Sequence, residues 1–236
     1  MTVKGIMHRG SGLGNQLHRY VGTKIIAMEK GEQHTMIAPE LFKGKDFLKL
    51  DIEPNDIKYT IKEPSGEVVP ESYEGVLDGE FQNEKDFYPH IDKVREWIKP
   101  NYRWEEDCCV ISHRGGEYKG VSELYLPQEY WDLAIKMMLE INQDMKFRVV
   151  TDDVEEADRM FPDFPVTHEM ENDWCSILSA KYLILSNSSF AILPAYMNEH
   201  VEKIIAPKYW ARYNTHEWLN QDNSTYSKFT YVHHED

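Results

Sequence analysis

Four short polar segments of this 236-residue sequence contain residues whose types and spacing are typical of ligand sites. They lie at 10–16, 112–118, 151–153 and 185–190, and each begins where an apolar run that predicts a β-strand ends. Ligands of open α/β sheets bind beyond the carboxyl ends of the strands. One segment lies within residues 1–104 and three lie within residues 105–210, the two parts of the chain that we predict to be separate α/β halves. We therefore predict a cleft between two α/β halves that collects all four.

The first segment, GSGLGNQ at 10–16, is a glycine-rich turn between a predicted strand and a predicted helix. Such a turn lets backbone N–H groups approach a phosphate, and the helix N-terminus adds about half a positive charge. The spacing is not G-x-G-x-x-G and no Gly-Lys-Ser follows, which argues against the dinucleotide and P-loop motifs. A plain tight turn is the alternative that stays open.

Arg114 follows the predicted strand at 108–112 and stands beside Gly115 and Gly116. A guanidinium has a fixed charge and forked donors that suit a pyrophosphate, and glycines let such a ligand come close. The alternative is a solvated arginine in a surface turn.

Two further segments place acidic and hydroxyl groups at strand ends. Asp152 and Asp153 could bind a metal, a sugar or a base, but a D-x-D metal site needs one residue between the acids. The alternative is that an aspartate caps the following helix. Residues 186–189, Ser-Asn-Ser-Ser, offer donors to phosphate oxygens at a helix start, whereas an ordinary N-cap needs only one of them.

Strands and helices alternate along the sequence, which predicts an α/β fold with parallel sheets covered on both faces. Hydrophobic periodicity predicts strands at 3–7, 34–38, 108–112, 147–150, 182–185 and 203–206, and helices at 15–30, 83–98, 126–141, 154–161, 173–180 and 188–198. We predict one domain at 1–104, a second at 105–210 and a C-terminal arm at 211–236.

Composition narrows the classes of protein. The chain has 26 Lys+Arg against 41 Asp+Glu, a formal net charge of −15, which argues against a nucleic-acid partner. No apolar run approaches the roughly 20 residues that span a bilayer, and no signal-peptide pattern opens the sequence. Its 3 cysteines form neither a disulfide framework nor a C-x-x-C pair. We therefore expect a protein of the cytoplasm without a transmembrane segment.

Six ordered motifs between residues 6 and 210 resemble those of glycosyltransferase family 11, the α-1,2-fucosyltransferases, and of the wider fucosyltransferase group. They are GLGNQ at 12–16, resembling G-G-L-G-N-Q; GEFQNEKDF at 79–87, resembling G-Y-F-Q-S-E-K-Y-F; RGGEY at 114–118, resembling H-x-R-R-G-D-Y; TDD at 151–153, resembling S-D-D; the block 173–197, which begins at Asp173 and contains SNSSF at 186–190, resembling D-l…i-x-S-N-S-S-F-S-W-W; and IAPKYW at 205–210, resembling i-a-P-x-x-W.

The resemblance implies an inverting fucosyltransferase of the GT-B type, with two Rossmann-like domains facing across a cleft. The N-terminal domain would face the glycan acceptor. Fucose would be joined to a galactoside of that acceptor in an α-1,2 linkage. The C-terminal domain would hold the donor GDP-fucose. The resemblance implies that no metal and no other cofactor is required.

The resemblance also implies which residues contact the donor phosphates. Arg114 would grip the β-phosphate, while Gly12 and Gly14 would reach the pyrophosphate through their backbone. Ser188 and Ser189 would donate to phosphate oxygens.

Other donor contacts are implied by position in the matched motifs. Asp152 and Asp173 would lie near the nucleoside. Asn15 and Gln16 lie in the first motif, and His113 lies next to Ser112, where the family has a His; we expect these three residues to contact the donor as well.

Catalysis is assigned by the resemblance to Arg114 and, by proximity in sequence, to Glu117, with Glu123 as a second candidate for the general base. The sequence departs from the family pattern at Ser112, which replaces a His, at Gly115, which replaces an Arg, and at Glu117, which replaces an Asp. These departures favour two alternatives: a transferase of another GDP-sugar, or an inactive module that binds a sugar nucleotide or a glycan.

Overall fold

The computed structural model describes residues 1–101, 107–212, 218–220 and 228–232. The chain divides into two compact units, Met1–Tyr102 and Arg103–Asp236. Each unit has its own sheets and its own buried apolar cluster.

The first unit is built on a strand–helix–strand motif. Its elements are β1 (Thr2–Ile6), α1 (Leu13–Lys30), β2 (Gln33–Ile37), β3 (Leu48–Leu50), β4 (Tyr59–Lys62), β5 (Glu67–Pro70), α2 (Glu84–Phe87), α3 (Ile91–Trp97) and β6 (Ile98–Pro100). β1 and β2 pair in parallel, while β3 pairs with β6 and β4 with β5 in antiparallel fashion. α1 is the crossover between the two parallel strands, as parallel pairing requires.

Local sequence determines where α1 begins and ends. Gly12 is the N-cap, and Gly31 ends the helix with a φ of 66°, a left-handed conformation that glycine adopts without strain. Leu17, Val21 and Ile25 are buried on one face of α1, as their i, i+4 and i+8 spacing predicts.

The predicted single helix at 83–98 is wrong in one respect. A 3₁₀ turn, Tyr88–His90, separates α2 from α3. Pro89 lies in the first turn of that segment, and proline lacks the N–H that a continuous helix needs at an interior position.

The second unit is a six-stranded parallel sheet with the strand order β14-β11-β10-β7-β8-β9. Its elements are β7 (Cys109–His113), α4 (Gln128–Ile141), β8 (Phe147–Thr151), α5 (Val154–Met160), β9 (Val166–Thr167), α6 (Met170–Ser179), β10 (Tyr182–Leu185), α7 (Ser189–Met197), β11 (Lys203–Pro207), β12 (Tyr209–Arg212), β13 (Trp218–Asn220) and β14 (Phe229–Val232). β12 and β13 form a separate antiparallel pair.

The central strands of this sheet are buried on both faces. All five residues of β7 are buried, because the strand is covered on both faces of the sheet. Its sequence, Cys-Val-Ile-Ser-His, therefore does not alternate between polar and apolar residues. Cys109 and Ile111 pack with Tyr130 and Trp131 of α4 in the main apolar cluster. The alternation of strands and helices predicted this α/β architecture correctly.

The prediction of a surface arm at 211–236 is wrong for β14. This strand pairs in parallel with β11, with Ile204 opposite Phe229. Val232 is buried in the main cluster, and the Phe229 ring stacks on Tyr196 at 4.9 Å. The polar tail hid a short segment of good strand formers, Phe-Thr-Tyr-Val. The histidines at 216, 233 and 234 lie outside the described residues.

Candidate functional site

The second unit contains a topological switch point, the place where open α/β sheets bind ligands. From β7 the chain continues to β8 and β9 on one side, and then returns to β10 and β11 on the other side. The segments that follow β7, β8 and β10 therefore leave the same edge of the sheet at neighbouring strands. These are three of the four polar segments predicted from the sequence.

Arg114 lies directly after β7 and is held by two carboxylates. Its Nη1 lies 2.6 Å from Oδ2 of Asp152, its Nη2 lies 2.5 Å from Oε1 of Glu117, and its guanidinium carbon lies 5.2 Å from the centroid of the Tyr118 ring. The other Asp152 oxygen accepts the Gly115 N–H at 2.9 Å. Asp152 thus positions both the arginine and the backbone beside it.

The two glycines after Arg114 are explained by the chain itself. A Cβ on Gly115 would lie 2.7 Å from the Cβ of Asp153. Gly116 has a φ of +31°, and a Cβ there would overlap Oδ2 of Asp152. Close packing against the aspartates therefore accounts for both glycines, without a ligand.

Asp153 confirms the helix-cap alternative. Its side chain accepts the Glu156 N–H at 3.2 Å at the start of α5, and it pairs with Lys119 at 2.6 Å. The hydrogen bond from Lys119 is the main reason that the pKa of Asp153 is lowered. The two adjacent aspartates thus do different work, one as a cap and one as a partner of Arg114.

The segment between β10 and α7 holds buried polar atoms without partners in the described part of the chain. Ser186 is 2% exposed and its Oγ has no hydrogen-bond partner there. Asn187 is 1% exposed; its Nδ2 donates to the Leu124 carbonyl at 3.0 Å, but its Oδ1 has no such partner. Because buried polar atoms are nearly always hydrogen-bonded, this pair indicates a place for a ligand or for ordered water.

Ser188 is the N-cap residue of α7, and Ser189 is the first residue of that helix. The Ser188 side chain makes no capping hydrogen bond, so the ordinary N-cap predicted as the alternative is not observed. A helix N-terminus carries about half a positive charge, which attracts anions.

Asp173 is buried, and its side chain forms hydrogen bonds at the start of its own helix, α6. It is 3% exposed, and its carboxylate accepts from the Thr167 hydroxyl at 2.7 Å and from the Glu169 N–H at 2.9 Å. Burial raises its pKa, and these hydrogen bonds oppose the shift. The structure thus places Asp173 at the start of α6 as a structural carboxylate.

His113 is a core residue, and the structure does not support its predicted contact with the donor. It is 3% exposed, and its ring makes edge contacts with Tyr125, Trp131 and Phe161 at 5.6–6.3 Å between centroids. Nδ1 lies 3.0 Å from the Thr151 hydroxyl. Burial lowers the pKa of His113 to about 4.

The lowered pKa of His113 predicts a loss of stability in acid. The unfolded chain binds a proton near pH 6.5, whereas the folded chain resists it until about pH 4. The stabilisation is therefore complete above pH 6.5 and is lost as the pH falls towards 4. Between pH 4 and 6.5 the unfolding free energy of the parent protein should fall with decreasing pH. We expect His113→Phe to reduce the slope of this fall by up to about 1.4 kcal/mol per pH unit. Urea denaturation at several pH values measures this slope.

The control for this prediction is His168→Gln, which alters an exposed histidine. It should keep the slope of the parent protein. His18 and His34 also have pKa values lowered to about 4, chiefly by burial, so part of the slope persists in His113→Phe. Equal slopes in the parent protein and in His113→Phe would contradict the prediction.

In the first unit, the glycine-rich turn follows β1. Gly10 packs so tightly that a Cβ would overlap the Ser65 carbonyl oxygen. Gly12 is different: its φ of −67° suits any residue, and no atom beyond its chain neighbours lies within 4 Å of a Cβ placed there. Packing inside the unit therefore does not explain Gly12. Gly14 is buried in the first turn of α1.

Asn15 and Gln16 follow in the same turn and differ in their surroundings. Asn15 Oδ1 accepts the Gln82 amide at 3.0 Å. Gln16 is fully buried, and its amide donates to the carbonyls of His8 and Leu41 at 3.0 Å, while its oxygen accepts the Lys43 N–H at 2.9 Å. The amide nitrogen and oxygen of Gln16 are thus both hydrogen-bonded to the backbone of neighbouring loops. The predicted direct contact between Gln16 and the donor is therefore not supported.

A charged cluster beside this turn was not predicted from the sequence. The guanidinium of Arg19, which is 8% exposed, lies 2.5 Å from Asp78 and 2.7 Å from Glu80. His8 lies 3.2 Å from the same Asp78 and accepts the Val68 N–H at 2.8 Å. The only signal was the GEFQNEKDF motif, because ion pairs between distant segments leave no local pattern.

Within the described residues, no group of three or more His, Cys, Asp and Glu side chains is arranged to hold a metal ion. In that same part of the chain, none of the helices has the length and apolar character that crossing a bilayer demands.

Searches against known proteins give a structural likeness only. No family model matches the sequence, and no curated protein matches it. Two crystal structures of fucosyltransferase NodZ from Bradyrhizobium resemble the fold. A selenomethionine form has a TM-score of 0.51 at 10% identity, covering 87% of this chain and 94% of that one. The other has a TM-score of 0.50 at 10% identity, covering 86% and 94%.

At this identity the likeness concerns the fold. The chain has a mixed α/β fold with a six-stranded parallel sheet, and this fold resembles that of fucosyltransferase NodZ. The GT-B arrangement and membership of glycosyltransferase family 11 stay predictions.

Proposed function

We propose that this protein is an inverting glycosyltransferase that moves fucose from GDP-fucose to a hydroxyl of a glycan, in an α-1,2 linkage to a galactoside. One observation carries the proposal. Arg114 and the unpartnered polar atoms of Ser186 and Asn187 follow the two strands that flank the switch point of the second unit. The likeness to fucosyltransferase NodZ supports the scaffold, and the ordered motifs support the donor.

The groups at this edge suit a diphosphate. Arg114 offers a planar set of donors that matches phosphate oxygens. The hydroxyls of Ser188 and Ser189 lie at the N-terminus of α7, where backbone N–H groups and the helix dipole attract negative charge. The predicted donor contacts of the second unit are therefore proposed for these three residues.

Glu117 is proposed to be the partner that the diphosphate displaces. Its side chain is 70% exposed, whereas that of Asp152 is 25% exposed and is tied to the Gly115 backbone. Asp152 would stay on Arg114 and Glu117 would turn into solvent. Burial raises the pKa of Glu117, but its own backbone hydrogen bond and the charge of Arg114 outweigh that and lower it. A weakly basic carboxylate is a poor general base, so this exchange suits Glu117 better.

The proposed step is a single displacement. An oxygen of the acceptor hydroxyl bonds to C1 of fucose while the bond from C1 to the β-phosphate oxygen breaks, and that electron pair leaves with GDP. The hydroxyl proton passes to a base. Charge builds on the leaving diphosphate, and in this proposal Arg114 and the amides at the start of α7 stabilise it. In the first unit, the backbone of Gly12 and Gly14 stays a proposed donor contact, supported by the open space at Gly12.

Two alternatives keep the same scaffold. The protein could use another GDP-sugar, since Ser112 and Gly115 stand where the family has a His and an Arg. It could also be an inactive binding module, which the close pairing of Arg114 with Asp152 and Glu117 favours.

Calorimetric titration with GDP, UDP, ADP, GDP-fucose and GDP-mannose tests the proposal, followed by transfer assays on β-galactosides. We expect GDP and GDP-fucose to bind most tightly and fucose to be transferred. Preferred binding of GDP-mannose would favour the first alternative. GDP binding without transfer or hydrolysis would favour the second. Absence of nucleotide binding would refute both transferase proposals and would leave only an inactive module that binds a glycan.

A further inference from the structure

The side chain of Asn187 joins the segments that follow the neighbouring strands β7 and β10. Asn187 is 1% exposed, and its Nδ2 donates to the Leu124 carbonyl at 3.0 Å. The Ser186 N–H donates to the Ser112 carbonyl at 2.9 Å, so the two chains stay paired up to the ends of the strands. Beyond that point they separate, and the bond from Asn187 to Leu124 connects them again.

Two backbone hydrogen bonds and one ring contact continue from Leu124 to Arg114. The Leu124 N–H donates to the Val121 carbonyl at 2.9 Å, and the Val121 N–H donates to the Tyr118 carbonyl at 2.8 Å. The guanidinium carbon of Arg114 lies 5.2 Å from the centroid of the Tyr118 ring, within the distance of a cation–π contact. A continuous series of contacts therefore runs from Asn187 to the guanidinium.

Arg114 is thus restrained through both strands that flank β7. Asp152, which follows β8, binds its guanidinium at 2.6 Å. Tyr118 contacts it from a turn that Asn187, which follows β10, holds in place. When Glu117 is displaced, as proposed above, these two restraints remain. A long side chain has many rotamers, so restraints of this kind determine how well the guanidinium is preorganised for a ligand.

Asn198, at the C-cap of the same helix α7, shows what a structural amide looks like in this protein. It is fully buried; its Nδ2 donates to two backbone carbonyls at 2.9 and 2.8 Å, and its Oδ1 accepts two backbone N–H groups at 2.8 and 2.9 Å. Asn187 differs, because its Oδ1 has no partner in the described part of the chain. A buried amide with an unsatisfied oxygen stabilises a fold poorly, so stability alone does not explain Asn187.

We propose that Asn187 is a positioning residue that orients Arg114 for the donor diphosphate through the turn at 118–124. The identity of the ligand rests on the proposed function, whereas the connection between the two segments does not. Asn187 acts here through Leu124 and Tyr118 and needs no contact of its own with the donor.

Amide hydrogen exchange of the full chain without nucleotide tests the connection. In Asn187→Ala, the amides of Val121 and Leu124 should exchange about tenfold faster relative to the amides of β7, because the turn opens more often. Asn198→Ala is the matched control: it should lower the unfolding free energy and keep the parent ratio at Val121 and Leu124. An unchanged ratio in Asn187→Ala would overturn the proposal.

Calorimetric titration with GDP tests the effect on Arg114. Asn187→Ala should raise the Kd for GDP about tenfold, whereas Asn198→Ala should keep it within about twofold. In an Arg114→Ala background, Asn187→Ala should change Kd less than about twofold, because its effect passes through the guanidinium. Equal factors in the two backgrounds would overturn the positioning role, and so would equal losses in Asn187→Ala and Asn198→Ala.

The two measurements separate this inference from the transferase proposal. If the parent protein binds no nucleotide while Asn187→Ala accelerates exchange at Val121 and Leu124, the transferase proposal fails and the connection between the segments is supported. If the parent protein binds GDP and Asn187→Ala leaves both exchange and Kd unchanged, only the role of Asn187 fails.

Discussion

Arg114→Ala is expected to lower kcat of the proposed transfer by about 10²–10³-fold, because one preorganised donor to a developing oxyanion is removed. The guanidinium lies after the central strand β7 and is held by Asp152, so it needs no rearrangement of its backbone to meet a leaving phosphate. Its side chain is 28% exposed, and we expect the melting temperature to change little. Steady-state kinetics with GDP-fucose and a β-galactoside measure the effect.

Arg159→Ala provides the matched control. Arg159 also pairs with a glutamate three residues away, Glu156 at 2.6 Å, but its side chain is 64% exposed on α5. This variant should keep kcat within about twofold of the parent value. Its stability should also change little, because exposed ion pairs contribute little to the unfolding free energy. Near-normal turnover of Arg114→Ala would contradict the proposed role, and an equal loss in both variants would point to a general effect of charge.

Gly12→Ala and Gly10→Ala are expected to separate binding from stability in the glycine-rich turn. A methyl group at Gly10 would overlap the Ser65 carbonyl, so we expect a loss of about 1–3 kcal/mol of unfolding free energy. A methyl group at Gly12 meets no atom beyond its chain neighbours within 4 Å, so the unfolding free energy should fall by no more than about 1 kcal/mol, the cost of alanine at the N-cap of α1. If the donor approaches this backbone, Gly12→Ala should nevertheless raise KM about tenfold or more.

Urea denaturation and steady-state kinetics on the same preparations test this pair of variants. An unchanged KM in a stable Gly12→Ala protein would remove Gly12 from the proposed donor contacts. A stable Gly10→Ala protein would show that the turn relaxes and would weaken the packing argument.

The longer helices and the buried strands were predictable because their signals are local, whereas short strands such as β3 and β9 were not predicted. β10 spans Tyr182–Leu185, the predicted residues, since a short apolar run between polar segments leaves few alternatives. α4 begins at Gln128, directly after Pro127, close to the predicted start. The order of strands within the sheet was not predictable in this way. Nothing local in Phe229–Val232 shows that it pairs with Lys203–Pro207.

The roles of single polar residues were harder to predict. Adjacent aspartates have similar local sequence, yet Asp153 caps α5 and Asp152 binds Arg114, because their side chains leave the chain in different directions. The sequence predicts His113 as a ligand contact because it lies next to Ser112, where the family has a His. Side chains alternate along a strand, and the parity of Cys109 and Ile111 directs His113 into the apolar cluster.

By itself, the sequence determined the α/β class, the approximate positions of the longer helices and of the buried strands, and the three segments that meet at one edge of the second sheet. Periodicity and strand-end residues act within a few positions, so they can be read in order along the chain. Only the tertiary structure decided which polar atoms are already satisfied. Gln16 and Asp173 are hydrogen-bonded to other groups of the protein. In the described part of the chain, Ser186 Oγ and Asn187 Oδ1 have no hydrogen-bond partner. Hydrogen-bond satisfaction depends on atoms that packing brings together, and a linear pattern does not contain them.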